Sequence, residues 1–150
     1  MNKFTMLDNF LSSIEIQTDL AQSLSYFAEL CALTAERSGF HEDEKEVRTM
    51  LSEIISEYPA QADKLDWFES QLLQAEHGRI MSESGEAIEA IRKNQFDSHL
   101  PQYLGWLVEG ADTLIRLGDS VGKRTNEFGN IVVAKMLYNA NRPYKHGKNS

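Results

Sequence analysis

Carboxylates at three-residue spacing are the residues of this chain with the clearest capacity for chemistry. Glu83, Glu86 and Glu89 form one series and Glu109 with Asp112 a second, so each set lies along neighbouring faces of a helix. Spacing alone does not single them out, because Asp43/Glu46 and the triplet Asp63, Asp66 and Glu69 share it. Position on the helical wheel does. Between Glu76 and Lys93, Ile80, Ala87, Ala90 and Ile91 set an apolar stripe, and Glu83 falls inside it between Ala87 and Ala90. Glu86 lies about 60° further round and Glu89 about 60° beyond that. Asp63 and Asp66, by contrast, point away from the side that carries Leu65, Phe68 and Leu72. A carboxylate directed into a packing face is costly unless a cation or hydrogen bonds meet it.

Two kinds of cation would do. Arg79 is placed to pair with Glu83, and Arg116 with Asp112. Alternatively, Glu83, Glu86, Glu109 and Asp112 converge from two antiparallel helices on a hard divalent ion, Mg²⁺ or Mn²⁺, which prefers oxygen ligands. A di-iron centre would want Glu-x-x-His on two helices, and no histidine here has an acid three residues before it.

The elements that must position these groups read as helices throughout. Three prolines and little β-branched alternation leave strands without support. An amphipathic stretch runs from Phe4 to Arg37, with a restart at Gln17-Thr18-Asp19, and ends at Ser38-Gly39. A second helix spans His41–Tyr58, with Glu42, Asp43 and Glu44 in its first turn and Pro59 closing it. Ala60–Lys93 is helical with a break offered at His77-Gly78. Pro101 belongs in the first turn of a helix that continues to Val121, with Leu104, Leu107, Val108, Ala111, Leu114 and Ile115 on its apolar side. Thr125 or Asn126 caps a last helix that reaches Asn141. The expectation is one all-α domain, a helical bundle in which N-terminal helices (about 1–74) precede a motif-bearing core (75–148).

Charge bounds the partners. The 150 residues carry a net charge of −8, divided between 22 acids and 9 bases in residues 1–122 and 1 acid and 6 bases in residues 123–150. An acidic body argues against nucleic acid and anionic membranes as partners. The lone Cys31 allows no internal disulfide, and no signal peptide or membrane-length apolar run is read, so a cytoplasmic protein is expected. In the basic end, Lys135, Asn139 and Arg142 share a helix face, with Lys145 and Lys148 following. Cationic groups beside a carboxylate–metal cluster suit a polyphosphate. Trp67, Phe68, Trp106 and Tyr138 are read first as core residues and second as platforms for a base.

The helix from Ser82 to Ile91, the later Glu109-Gly-Ala-Asp112 and the stretch Lys135…Tyr138-Asn139…Arg142-Pro143-Tyr-Lys145-His146-Gly147-Lys148 together resemble the MazG-like all-α nucleoside triphosphate pyrophosphohydrolases, particularly small phage or mobile-element types. That family's metal motif is E-x-x-E followed by E-x-x-D, and 22 residues lie between Glu86 and Glu109 here. The resemblance covers residues 75–148 and extends weakly to Ala35–Phe40. It departs from the pattern over about 41–74, longer than compact members need, and in having one glycine before Lys148 where related sequences often have two. It implies Mg²⁺ on Glu83, Glu86, Glu109 and Asp112. It also implies catalytic work for Glu83, Glu86 and Glu89, phosphate contacts for Lys135, Arg142, Lys145 and Lys148, a sugar or phosphate contact for Asn139, and a homodimer or homotetramer. The implied reaction is Mg²⁺-dependent hydrolysis of a (deoxy)nucleoside triphosphate between the α- and β-phosphates. The alternatives are a non-catalytic helical adaptor that binds nucleotide or protein, and a related phosphohydrolase of different base preference.

Overall fold

A computed structural model describes residues 4–142. The elements run α1 (Thr5–Ser12), α2 (Ile14–Arg37), α3 (Glu42–Glu57), one 3-10 turn (Pro59–Gln61), α4 (Asp63–Lys93), α5 (Gly105–Gly122) and α6 (Phe128–Ala140). Among the described residues there is no strand, only an isolated antiparallel bridge between Phe96 and Leu104. The chain is an all-α helical bundle, as its periodicity predicts.

Small residues decide which helices meet. α5 packs on α4 along one side and on α2 along another, and α6 also packs on α2. The α2 contacts use Ala21, Ala28 and Cys31, all buried. Gly118 faces Cys31, Gly122 faces the Ala28 carbonyl, and Gly129 faces that of Ala21; a methyl group at Gly122 or Gly129 would land on backbone. The backbones therefore approach more closely than side chains would allow. The Ser25 hydroxyl seals the α2–α6 crossing by donating to the Asn126 carbonyl (2.9 Å) and accepting from the Gly129 N–H (3.0 Å).

α3 buries no residue. It folds back over the 3-10 turn onto the start of α4. Its charges hold it there: Arg48 pairs with Glu69 of α4, and Lys123, just past the end of α5, with Glu44 (2.7 Å). Arg48 also lies 6.0 Å over the Phe68 ring.

Several boundaries differ from those expected, each for a local reason. The first break falls at Ser13, not at Gln17-Thr18-Asp19, because the Ser13 hydroxyl accepts the Ile16 N–H (3.3 Å) and starts α2 there. α4 runs unbroken through Gly78, which faces open space and is exposed on the helix surface. Asn94, in the left-handed conformation at φ 48°, ends it. Pro101 lies outside α5 instead of in its first turn. The Asp97 carboxylate accepts the His99 (2.9 Å) and Leu100 (2.7 Å) N–H groups, and Gly105 N–H bonds Gln95 O (3.0 Å), so residues 95–104 form a tied loop before helix begins. At α6, Thr125 accepts from the Glu127 N–H (3.0 Å) just ahead of the helix. Trp67, Trp106 and Tyr138 are exposed, not core residues.

Candidate functional site

α4 faces α5 with Glu76, Ile80, Glu83, Ala87 and Ala90, positions that recur at three and four residues. Ala90 meets Gly105 at one end of this seam. A small residue on each side brings the helices together there, so Glu83 enters the packing face as its wheel position predicts. It is 7% exposed.

The two helices bring Glu83, Glu86 and Glu109 together, with one carboxylate oxygen of each within 4.8 Å of the others. Glu83 is buried, Glu109 half-buried and Glu86 exposed, so the group opens to solvent on one side. The Glu109 carboxyl titrates above its ordinary range: burial raises it first, then the charges of Glu86, Glu83 and Asp112, with a hydrogen bond shared with Glu83. Asp112 therefore lies close enough to act on the cluster, although it is outside the three-carboxylate group. No ion pair among the described residues involves Glu86 or Glu109. An arrangement of acids that raise one another's charge cost is one a cation relieves.

One protein cation is already present. Arg116 Nε lies 2.5 Å from Glu83 Oε1, a pairing that replaces both expected ones, Arg79 with Glu83 and Arg116 with Asp112. Arg79, Asp112, Arg116 and Asp119 instead line a cavity of about 480 Å³ together with Cys31 and Phe40. A second cavity, about 400 Å³, is lined by Glu86, Glu89, Glu109 and Asp97. Glu89, furthest round from the apolar stripe, turns to the end of its own helix, pairing with Arg92 (2.8 Å) and Lys93 (3.1 Å).

The basic residues are less closely joined to this site. Lys135, Asn139 and Arg142 are exposed on or just beyond α6, and Lys135 and Arg142 lie over the Tyr138 ring at 4.8 and 6.0 Å. Neither is among the described residues lining the two cavities. Lys145 and Lys148 lie outside the described residues.

A second buried glutamate was not singled out by its spacing. Glu76, 6% exposed, receives Arg124 (2.7 and 3.1 Å), Lys123 (2.6 Å) and the Ser120 hydroxyl (2.5 Å). Burial alone would push its carboxyl up, but these hydrogen bonds and the Lys123 charge outweigh it and hold the pKa at about 2. Nearby, His41 Nε2 meets Asp119 Oδ1 at 2.8 Å. The signal for Glu76 was available, since it sits seven residues before Glu83 on the same stripe.

No family model, curated protein or solved structure matches this chain.

Proposed function

We propose that this chain hydrolyses a nucleoside triphosphate between its α- and β-phosphates in a Mg²⁺-dependent reaction, giving a nucleoside monophosphate and pyrophosphate. The observation that carries the proposal is the convergence of Glu83, Glu86 and Glu109 from two helices, with Asp112 close enough to raise the Glu109 carboxyl. An all-carboxylate donor set fits Mg²⁺ or Mn²⁺ and fits softer metals poorly. Glu83, Glu86 and Glu109 would hold the ion, with Asp112 one turn along α5. When bound, the ion neutralises phosphate oxygens and acidifies water.

The chain's own groups do the rest. The 480 Å³ cavity offers Arg79 and Arg116 to phosphate oxygens and the Phe40 and Ile115 side chains to a nucleoside. Water attacks the α-phosphorus and the bond to the bridging oxygen breaks; the two electrons of that bond leave with pyrophosphate. The proton from the water passes to a carboxylate at the open side, where Glu89 lines the 400 Å³ cavity with Glu86 and Glu109. Lys135, Asn139 and Arg142, with Lys145 and Lys148, supply further phosphate and sugar contacts in this reading. Catalysis is then mainly positioning and charge neutralisation.

The test is pyrophosphate release from a panel of canonical and modified (d)NTPs with Mg²⁺ and with EDTA. Turnover that disappears with EDTA and falls at least 100-fold in Glu86→Gln and Asp112→Asn is expected. No turnover of any nucleotide rejects the hydrolase. One observation favours a second reading: Arg116 already neutralises Glu83, as in a helical adaptor that binds nucleotide or protein without cleaving it. Nucleotide binding that survives EDTA without turnover would select that reading.

A further inference from the structure

α3 and the bundle are held by different forces. The half-buried positions of α3 are Glu44, Arg48, Leu51 and Ile55, spaced by four, three and four residues, so one stripe faces inward. The half of that stripe next to the 3-10 turn is apolar, and the half next to α2 is charged. Ion pairs tie the charged half down: Lys45 to Glu36 of α2, Arg48 to Glu69 of α4, and Glu44 to Lys123 past α5. Beside these first two turns lies a cavity of about 590 Å³, bordered by Glu44, Lys45, Arg48, Glu69 and Lys123. The chain can pivot at both ends of the helix. Gly39, at φ 82°, turns it out of α2, and the Tyr58–Pro59 corner turns it towards α4. Between Gly39 and α3, His41 is buried against Asp119, while Phe40 and Asp119 line the 480 Å³ cavity whose wall includes the buried Cys31.

We propose that the first half of α3 is a strap, closed by its ion pairs, that lifts while the bundle stays folded and carries Phe40 and His41 away from the 480 Å³ cavity. An element with no buried residue is the one that opens locally before the rest. The two kinds of contact also respond differently to salt. Partly exposed ion pairs weaken, because about 0.5 M salt cuts the screening length to roughly 4 Å. The α2–α5 and α2–α6 crossings rest on small apolar residues and close backbones, which salt does not loosen. Ionic strength therefore shifts the strap and leaves the bundle as it is, and access to the cavity follows the strap. α3 lies in the part of the chain that the family resemblance does not cover. The inference depends neither on hydrolysis nor on bound metal.

The test is made first on the wild-type chain, by hydrogen exchange and mass spectrometry in low salt and in NaCl. Amides 46–52 of α3 are expected to exchange at least about fivefold faster in about 0.5 M NaCl, while those of α2 (21–32) and α5 (111–120) keep their rates within about twofold. An equal response in all three segments, or no response in α3, overturns the proposal. Cys31, the chain's one thiol, reads the cavity. Its alkylation by iodoacetamide should accelerate with the α3 amides, and α3 exchange that rises while Cys31 labelling stays constant overturns the gating. Glu69→Gln removes a partner of Arg48 from outside α3. That variant is expected to raise α3 exchange and Cys31 labelling at low salt by about threefold or more, with α5 unchanged; wild-type rates in a folded Glu69→Gln overturn the proposal. Should the variant not fold, the salt responses of the wild type decide.

Discussion

Glu76 and Glu83 stand seven residues apart on the same face of α4, both against α5 and both buried, yet their surroundings are opposite. Glu76 meets a hydroxyl, an ammonium and a guanidinium, all from Ser120–Arg124, which together occupy both of its oxygens. Glu83 meets one guanidinium on one oxygen and two further carboxylates. The first is a satisfied buried ion pair network, which fixes how α4 docks on α5. The second is a site whose own charges are left in excess. Burial of a glutamate therefore does not by itself mark function; the sign of its neighbours does.

Breaking the first region should have the largest effect on stability. Glu76→Ala leaves Lys123 and Arg124 facing a gap, and we expect a loss of about 3–5 kcal/mol, measured by denaturant unfolding. Acid is the milder form of the same experiment. The Glu76 carboxyl is held at about 2 when folded and titrates near 4.5 when free. Its contribution is therefore present above pH 4.5 and fades as pH falls towards 2. At ~1.4 kcal/mol per unit that amounts to ~3 kcal/mol, and Glu76→Gln should flatten this part of the pH–stability curve.

The second region should respond with the opposite sign. Glu109→Gln removes a carboxylate whose charge is opposed by burial and by Glu86, Glu83 and Asp112, so without metal at pH 7 we expect a gain in stability, smaller than the loss in Glu76→Ala and seen as a raised Tm. In the wild type this penalty appears as pH rises through the elevated Glu109 pKa and is absent below it. Smallest of all, Asp63→Asn should shift stability by less than ~0.5 kcal/mol. Asp63 shares the three-residue spacing but is exposed, with only Lys64 beside it.

The helical class and the burial of Glu83 were legible because both follow from 3.6-residue periodicity. Helix ends were less so. Residues 95–104 carry a proline placed well for a helix start, but the Asp97 turn and the Phe96–Leu104 bridge, which depend on chain reversal, delay α5 to Gly105. Which arginine serves which acid was not legible either. Arg79 and Arg116 both lie within reach of the cluster on a wheel, and only the antiparallel register of α4 and α5 gives Arg116 to Glu83. The Glu76 network needed residues 120–124, at and just past the end of α5 and beyond the acid motifs that drew attention to the seam. The expected meeting of carboxylates and basic residues rests on Lys135 and Asn139 of α6, which packs on α2, on Arg142 just beyond it, and on residues outside those described.

The contrast between the two glutamates is tested most directly by melting the wild-type chain and Glu86→Gln across a Mg²⁺ titration at pH 7. Metal at ~100 times its Kd should add about 2.7 kcal/mol to the wild type. The account predicts a rise in Tm that saturates with Mg²⁺ in the wild type, is abolished by EDTA and is lost in Glu86→Gln. No rise in the wild type, or an equal rise in both proteins, would contradict it.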